Sequence, residues 1–552
     1  MKKIIKSLLP FVFSILIAIP VIIPYFHKGY FPTHDGEWAV VRLGDMFRTL
    51  RDLQIPPRYS GALNFGYGYP LFNFTYPFPY YLGTSFHFLG IGFVDTIKIL
   101  FAGSVVFSAF FMILTSWSLW KNTWAGVISA IFYIYLPYRM VDLYVRGSIG
   151  ESLSFVLFPL LFYLALKLIE KPSYLWVLPT SVSIALLITT HNIMSVLFLP
   201  VFIIFIISQI ILKNKKEAIR PLISGIILGL GISVFFWLPA LIEKHYILLS
   251  KIPIADRSLY FVRLDQFLLP RWGYGAPTDP NGFSYQFGIP HLLVLFLTIP
   301  VLFRSYLKTR HSGLSRISLN SLLLIGLTLV FIFLLFRPSA FLWEHLPLLS
   351  EINYPWTTLG ILGFLVSLLA GFLCRQKITK YIVICLSLIS IVMYLPYAKP
   401  QYYVDRGDNY YLTNEATTTS SSELMPKWVK QKPVERYVEK VEVAEGVGTV
   451  NNIYYNSKKI VFDVLAKENM RVRVNTIYYP GWKVNVDNVN VPVSYSNERG
   501  VMDISVSSGN HNVEAKFGET PLRATSNIIS LLSLFALLFI GIKSLRKSIL
   551  NK

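Results

Sequence analysis

Leu8-Leu-Pro-Phe-Val-Phe-Ser-Ile-Leu-Ile-Ala-Ile-Pro-Val-Ile-Ile-Pro-Tyr-Phe26, followed closely by Phe31-Pro-Thr-His-Asp-Gly-Glu37, is the stretch whose reading decides the fold. The first run is long and apolar enough to cross a hydrocarbon core of ~30 Å, which takes ~20 residues. Lys2, Lys3 and Lys6 precede it, and positive charge holds that end in the cytoplasm. No small-residue cleavage site follows, so the helix is expected to be retained. His34, Asp35 and Glu37 then emerge at the far surface. Ionisable groups gathered at a helix mouth mark a site candidate. The plainer reading is a solvated cap, with Asp35 opening the next helix.

Working outward, the chain has 552 residues, 54% hydrophobic and 15% aromatic, with a mean hydropathy of +0.52. That is more apolar surface than a soluble core of this size uses, and it reads as a polytopic membrane protein. The formal net charge of +21 would suggest nucleic acid in a soluble chain. Here the basic residues fall in short loops and tails between apolar runs, which assigns them to topology and anionic-lipid contact, with no nucleic-acid partner. Two cysteines, Cys374 and Cys385, at or within apolar runs exclude a disulfide framework and a thiolate metal site.

Twelve crossings, about residues 8–26, 97–120, 124–136, 153–166, 175–189, 196–212, 222–241, 289–303, 319–336, 359–374, 381–395 and 528–542, alternate with these loops. Lys121, Lys167, Lys171, Lys213, Lys215, Lys216, Arg304, Lys308, Arg310, Arg316, Arg375, Lys377, Lys380 and Lys543 all fall on one side, placing both termini in the cytoplasm. The first outer loop, residues 27–95, opens with a helical pattern. Ala39, Val40, Leu43, Met46, Phe47, Leu50 and Leu53 form one side, and Arg42, Asp45, Arg48, Arg51 and Asp52 the other, so it predicts an amphipathic helix lying in the interface. Pro56-Pro57 ends it, and the Tyr- and Phe-rich segment to Tyr81 is expected to line a cavity mouth at the headgroup boundary. Between Pro396 and Arg523 period-two alternation replaces the apolar runs, at 459–465, 470–475, 482–487 and 501–506. With turns at Asn451-Asn452, Pro480-Gly481 and Ser508-Gly509-Asn510, this reads as a small β-sandwich, more simply a passive cap than a catalytic unit.

Three outer segments bring ionisable groups to the membrane boundary: His34/Asp35/Glu37, then Asp142/Arg146/Glu151, then the later loops with Glu243, Asp265, Arg271, Asp279 and Glu344. Paired carboxylates facing one cavity suit a general base and a cation site, and an adjacent Arg holds a phosphate. Arg139 and Arg146 also read as ordinary interface anchors. His191, at an outer helix end, has no partner His at metal-ligand spacing and reads as a hydrogen-bonded interfacial residue. No Gly-rich phosphate loop follows a strand, so any energy for chemistry must arrive on a pre-activated donor.

Several motifs resemble the bacterial YfhO-like membrane proteins, also labelled pyruvoyl-tetrahydropterin synthase-related, and beyond them the GT-C glycosyltransferases. They are Thr33-His-Asp-Gly36, Gly66-Tyr-Gly-Tyr-Pro-Leu-Phe72, Arg146-Gly-Ser-Ile-Gly-Glu151, Tyr354-Pro-Trp356, Glu423-Leu-Met-Pro-Lys-Trp428, Tyr478-Tyr-Pro-Gly-Trp-Lys483 and Gly509-Asn-His511. The resemblance runs over nearly the whole chain. It implies a GT-C-like body of about twelve transmembrane helices over 1–396, an extracytoplasmic β-rich unit over 397–524, and a last helix with a basic tail over 525–552. It further implies transfer of a sugar from a polyprenyl-phosphate donor to an envelope glycan, lipid or protein acceptor at the outer face of the cytoplasmic membrane. Asp35 would activate the acceptor, with Glu37, Asp142 and Glu151 as the other catalytic candidates. His34, Arg139, Arg146, His191 and Trp356 would bind substrate or its phosphate. A divalent cation, if one serves, would fall to Asp35, Asp142 and Glu151. Thr357 stands where the family pattern has Arg, so no carrier-phosphate role passes to that position. The nine histidines are scattered, which gives the synthase label no zinc-binding set. Two other classes stay open: a transporter or flippase of a lipid-linked glycan, and a non-catalytic assembly scaffold. Transporters place ionisable groups near the bilayer midplane. Here the spans are nearly free of charge, which favours the enzyme.

Overall fold

The computed structural model describes residues 2–251, 254–279, 282–308, 315–413 and 422–550. Each of the twelve apolar runs is helical. Among the described residues ten helices are long and apolar enough to cross a membrane. Thr123–Ile134 continues, after a 50° bend, into Pro137–Arg146. Pro137 causes the break, because its ring clashes with a continuing helix and it supplies no N–H. Val177–Thr190 is apolar but only 14 residues long.

Thr358–Leu373 is the centre of the bundle, with every residue buried. It is apolar all round, the pattern of a helix surrounded by others. Its glycines let neighbours approach: a Cβ on Gly371 would meet Ser129 Oγ at 2.5 Å and one on Gly363 would meet the Leu136 side chain. Small residues permit such packing where lipid supplies no hydrophobic drive between helices.

The basic loops share one end of the bundle. There Lys121 pairs with Glu170 at 2.6 Å, Arg375 donates to Trp120 O at 2.6 Å, and the Asn122 side chain caps Thr123–Ile134. Arg310 lies outside the described residues. The opposite end carries the long first loop, the β-domain and the candidate site residues.

The β-domain has two antiparallel sheets. The strands are β1 Val441–Glu445, β2 Gly448–Tyr455, β3 Lys459–Ala466, β4 Met470–Ile477, β5 Trp482–Val486, β6 Val489–Val491, β7 Val501–Val506 and β8 Gly509–Phe517. One sheet runs β1-β4-β7 and the other β2-β3-β8-β5-β6. The four alternating runs are β3, β4, β5 and β7. Asn451-Asn452 is no turn between strands: it sits inside β2, where the pairing with β3 shifts register and Asn452 takes φ +53°. A bulge of this kind uses the same Asn tolerance for positive φ that a turn does.

The first loop departs from expectation in one respect. Gly36–Arg51 is a helix with Ala39, Val40, Leu43 and Met46 buried, but Asp45 and Thr49, on its polar side, are buried too. The β-domain covers that side. Ser457 N donates to Asp52 Oδ2 at 2.8 Å, Tyr59 OH donates to Ile477 O at 2.8 Å, and Arg499 Nη1 donates to Tyr67 OH at 2.7 Å. Tyr59 and Tyr67 are therefore a seat for the β-domain, while Tyr76 of the same aromatic segment lines a cavity. A second buried knot fastens it: Tyr479 OH donates to Glu243 Oε2 at 3.2 Å, while Arg523 Nε donates to the same oxygen at 2.9 Å. Asn73 Nδ2 completes the set at 2.8 Å. Glu243 belongs to this joint, which ties the loop, one spanning helix, the β-domain and the last helix together.

Candidate functional site

Thr33-His-Asp-Gly36 and Arg146-Gly147 lie against each other backbone to backbone. His34 N donates to Val145 O at 2.9 Å and Asp35 N donates to Arg146 O at 2.7 Å. Gly36 N donates to Thr33 Oγ1 at 2.9 Å. Asp35 is thereby held at the N-terminus of Gly36–Arg51, where its carboxylate makes no capping bond and stays exposed. Its charge bears on Tyr76, Tyr80 and Tyr354. His34 contacts Tyr274 O through Nε2 at 3.0 Å.

Asp142–Arg146 forms a π-helical turn that ends at Gly147, φ +65°. Such turns occur mostly inside helices at functional positions. A Cβ on Gly147 would run into Thr33 Oγ1 and come within 2.8 Å of Gly36 N. Gly147→Ala is accordingly expected to cost at least about 1–2 kcal/mol in backbone strain alone and to push Asp35 off its perch. Thermal unfolding and transfer activity of the variant should both fall.

Behind Asp35 lies a buried ion cluster. Arg146 Nη1 donates to Glu151 Oε2, and to Tyr138 OH at 3.1 Å. Tyr138 OH donates to Glu151 Oε1 at 2.5 Å. Arg139 Nη1 donates to Asp142 Oδ2 at 3.2 Å and Nη2 to Ser104 Oγ at 2.8 Å. Ser152 Oγ donates to the same Asp142 oxygen, and Arg146 Nη1 stands 3.9 Å from Asp142 Oδ1. The Trp356 ring packs on the Arg146 guanidinium, 4.5 Å from centroid to Cζ. Two arginines and two carboxylates balance one another in a low-dielectric setting, the condition under which buried charge is tolerated.

Asp142, Glu151 and Arg139 are fully buried. In this arrangement the two carboxylates hold the arginines, and Arg139 has no surface to offer a substrate. As for a divalent cation, no group of three or more His, Cys, Asp or Glu among the described residues is placed to hold one. The carboxylates of Asp142 and Glu151 are committed to Arg, Tyr and Ser, so Asp35, Asp142 and Glu151 do not fit as a ligand set. Glu37 turns away, toward Tyr30, Arg406 and Tyr411, and burial raises its carboxyl above the ordinary range against the pull of Arg406.

His191 is buried between two helices, its Nδ1 accepting from Met194 N at 3.2 Å and its ring 5.1 Å from Tyr76. From there a cavity of ≈ 370 Å³ opens, lined by Arg42, Tyr76, His191, Lys244, Glu351 and Glu423 on its polar side and by residues such as Ile193, Val196, Leu241 and Leu348 on its apolar side. Arg42 and Lys244 are the residues the sequence did not single out. Arg42 read as part of a solvated helix face, and only the enclosing Tyr69, Tyr76 and Tyr80 make it an interior cation.

Ten helices long and apolar enough to cross a membrane among the described residues define a multi-spanning membrane protein, and the exposed Asp35 beside the buried arginine–carboxylate cluster is its candidate site. Residues 72–401 match the family model for the 6-pyruvoyl-tetrahydropterin synthase related domain, a membrane protein, and the chain belongs to that family. An uncharacterized protein of Lactococcus lactis subsp. cremoris (strain MG1363) is 22% identical over 299 residues, 52% of this chain and 48% of its own length. The chain thus spans about half the length of the curated relative it matches. Among solved structures, the oligosaccharyltransferase of Archaeoglobus fulgidus in the apo form superposes with a TM-score of 0.41 at 12% identity, over 76% of this chain and 61% of that one. The archaeal oligosaccharyltransferase AglB from Archaeoglobus fulgidus, in complex with an inhibitory peptide and a dolichol-phosphate, gives 0.40 at 12% identity over 76% of this chain and 61% of that one.

Proposed function

We propose that the chain is a glycosyltransferase that moves a sugar from a polyprenyl-phosphate donor to an envelope glycan, lipid or protein acceptor at the extracytoplasmic face. The observation that carries the reading is the exposed Asp35 carboxylate, its N–H held by Arg146 O and its charge bearing on Tyr76, in the wall of a cavity with Arg42 and the Lys244–Glu351 ion pair at its polar end and a broad apolar wall. A lipid phosphate needs both: cations for its charge and an apolar wall for its chain. In transfer, Asp35 takes the proton of the acceptor hydroxyl as that oxygen bonds to the anomeric carbon. The bond from that carbon to the phosphate oxygen breaks, and the carrier phosphate leaves with the electron pair. Arg42 and Lys244 face the charge that develops there. Arg146, with Trp356 on its face, holds the Asp35 segment in place, and Glu151 and Asp142 hold the arginines. Membranes containing the chain, given radiolabelled sugar on polyprenyl phosphate, are the direct test. Absence of any transfer across sugars and acceptors would favour the flippase or scaffold reading.

Sidedness is checked separately. In a Cys385→Ser background, Glu468→Cys on the β-domain should react with an impermeant maleimide applied outside intact cells, and Lys171→Cys at the other end only after lysis. The reverse pattern would remove the donor argument, since the site would then face the cytoplasm.

A further inference from the structure

Where the β-domain sits on the first loop, a second cavity of ≈ 290 Å³ has walls from both. Asp45, Arg48 and Asp52 come from the helix Gly36–Arg51 and its end, and Arg436, Tyr437, Lys440, Tyr455, Ser457 and Thr476 from the β-domain side. Its helix-borne residues lie about three to five helical turns along from Asp35, outside the cluster around Arg146.

The walls are unusual in how much hydrogen-bonding capacity they leave unused. Asp45 Oδ2, Ser457 Oγ and Thr476 Oγ1 are buried and have no hydrogen-bond partner in the chain. Buried polar groups are nearly always paired, and each exception calls for a bound partner or another specific account. Other polar groups of the wall are spoken for: Asp52 by Ser457 N, Arg48 Nη2 by Leu412 O at 2.9 Å, and Lys440 Nζ by Gly66 O at 2.8 Å and Asn475 O at 2.9 Å. Aromatic surface stands beside them, with Tyr455 43% exposed and the Lys440 ammonium 4.8 Å from the Tyr437 ring and 5.3 Å from that of Tyr455.

Charge in the cavity is close to balance. Arg48, Arg436 and Lys440 face Asp45 and Asp52. Burial pushes the Lys440 amine down to about 7 and the Asp45 carboxyl up to about 6, so near neutrality the amine is partly discharged while the carboxylate stays mostly ionised. A polyanion or a metal ion would find neither a strong net field nor a ligand set. A ligand with many hydroxyls, little charge and apolar C–H faces matches the unpartnered oxygens and the tyrosine rings together.

We infer that the cavity between the first outer loop and the β-domain is a binding site for a neutral saccharide. The inference goes beyond transfer at Asp35, because it assigns a second, non-reacting site and requires no donor. Where transfer does occur, a glycan acceptor would be gripped here, with its reacting end at Asp35.

The test uses the full chain in lipid nanodiscs, free of sugar-based detergent. Fluorescently labelled neutral di- and tetrasaccharides of glucose, galactose and N-acetylglucosamine are titrated beside uronic acids and sugar phosphates. At least one neutral saccharide is expected to bind, and Tyr455→Ala and Thr476→Val should each weaken it by about tenfold, the scale of one aromatic or buried hydrogen-bond contact. Thr476→Val is the informative change. It removes an unpartnered buried hydroxyl, so its melting temperature should match or exceed that of the parent while binding falls. Binding of the charged sugars alone, binding of none, or binding indifferent to both variants would each overturn the assignment. Because no donor is present, a chain that binds saccharide yet transfers nothing would leave this site standing and count against the transferase reading alone.

Discussion

Replacing Asp35 with Asn is expected to lower sugar transfer by about 10²–10⁴-fold, the scale of losing a general base, while expression, membrane insertion and thermal unfolding stay as in the parent. The asymmetry follows from how Asp35 is held. Its backbone is fixed by Arg146 O, whereas its side chain caps nothing and is exposed. Asn keeps the shape and the backbone bonds and removes only the proton acceptor. Asp45 would be a poor control, because it is buried and raised in pKa beneath the β-domain. Glu468, exposed in the bend between β3 and β4, is the better one, and Glu468→Gln should transfer at the parental rate. Transfer by the Asp35 variant at the parental rate, in an assay that responds to enzyme concentration, would remove the assignment.

Glu151→Ala should act through the scaffold. It deprives Arg146 of its nearest anion and Tyr138 of its acceptor, leaving a guanidinium with 11% exposure balanced by Asp142, 3.9 Å away, and more weakly by Asp35. Removing one partner of a buried pair costs about 3–5 kcal/mol, so the melting temperature should drop and the loop that carries Asp35 should loosen with it. The double change Arg146→Met with Glu151→Leu removes both charges and should recover most of the lost stability. It should not recover transfer, since Trp356 loses the guanidinium it packs on and Asp35 loses the positive charge near it. Recovery of both would make the cluster a packing device with no bearing on the site. An unchanged melting temperature in Glu151→Ala would mean that Arg146 does not depend on this partner.

How much of this was legible in the chain differs from element to element. The spanning helices were, because a bilayer crossing is a one-dimensional property: length, hydropathy and flanking charge decide it, and all three are written consecutively. Strands β3, β4, β5 and β7 were legible for the same reason, since alternation reports a half-buried face. By contrast β2 is exposed at most positions on both faces, so it carries no alternation to read. Lys121 through Arg375 could be sorted to one side of the bundle by charge alone, but not into the pairs they make.

What only the tertiary structure decided is which side chains share a surface. Asp142 and Glu151 stand nine positions apart in sequence with no periodic relation. It is the π-helical turn and the positive φ of Gly147 that aim one at Arg139 and the other at Arg146. Arg42 and Asp45 sit on one polar helix face, and the same pattern would serve a helix in water. The aromatic loop enclosing Arg42 and the β-domain, docked through contacts more than 400 residues distant in the chain such as Asp52 with Ser457, together turn that face inward. Amphipathicity specifies that a face is polar, through the side chains a single helix presents. Whether water or another part of the chain meets it depends on long-range packing, which no local spacing encodes.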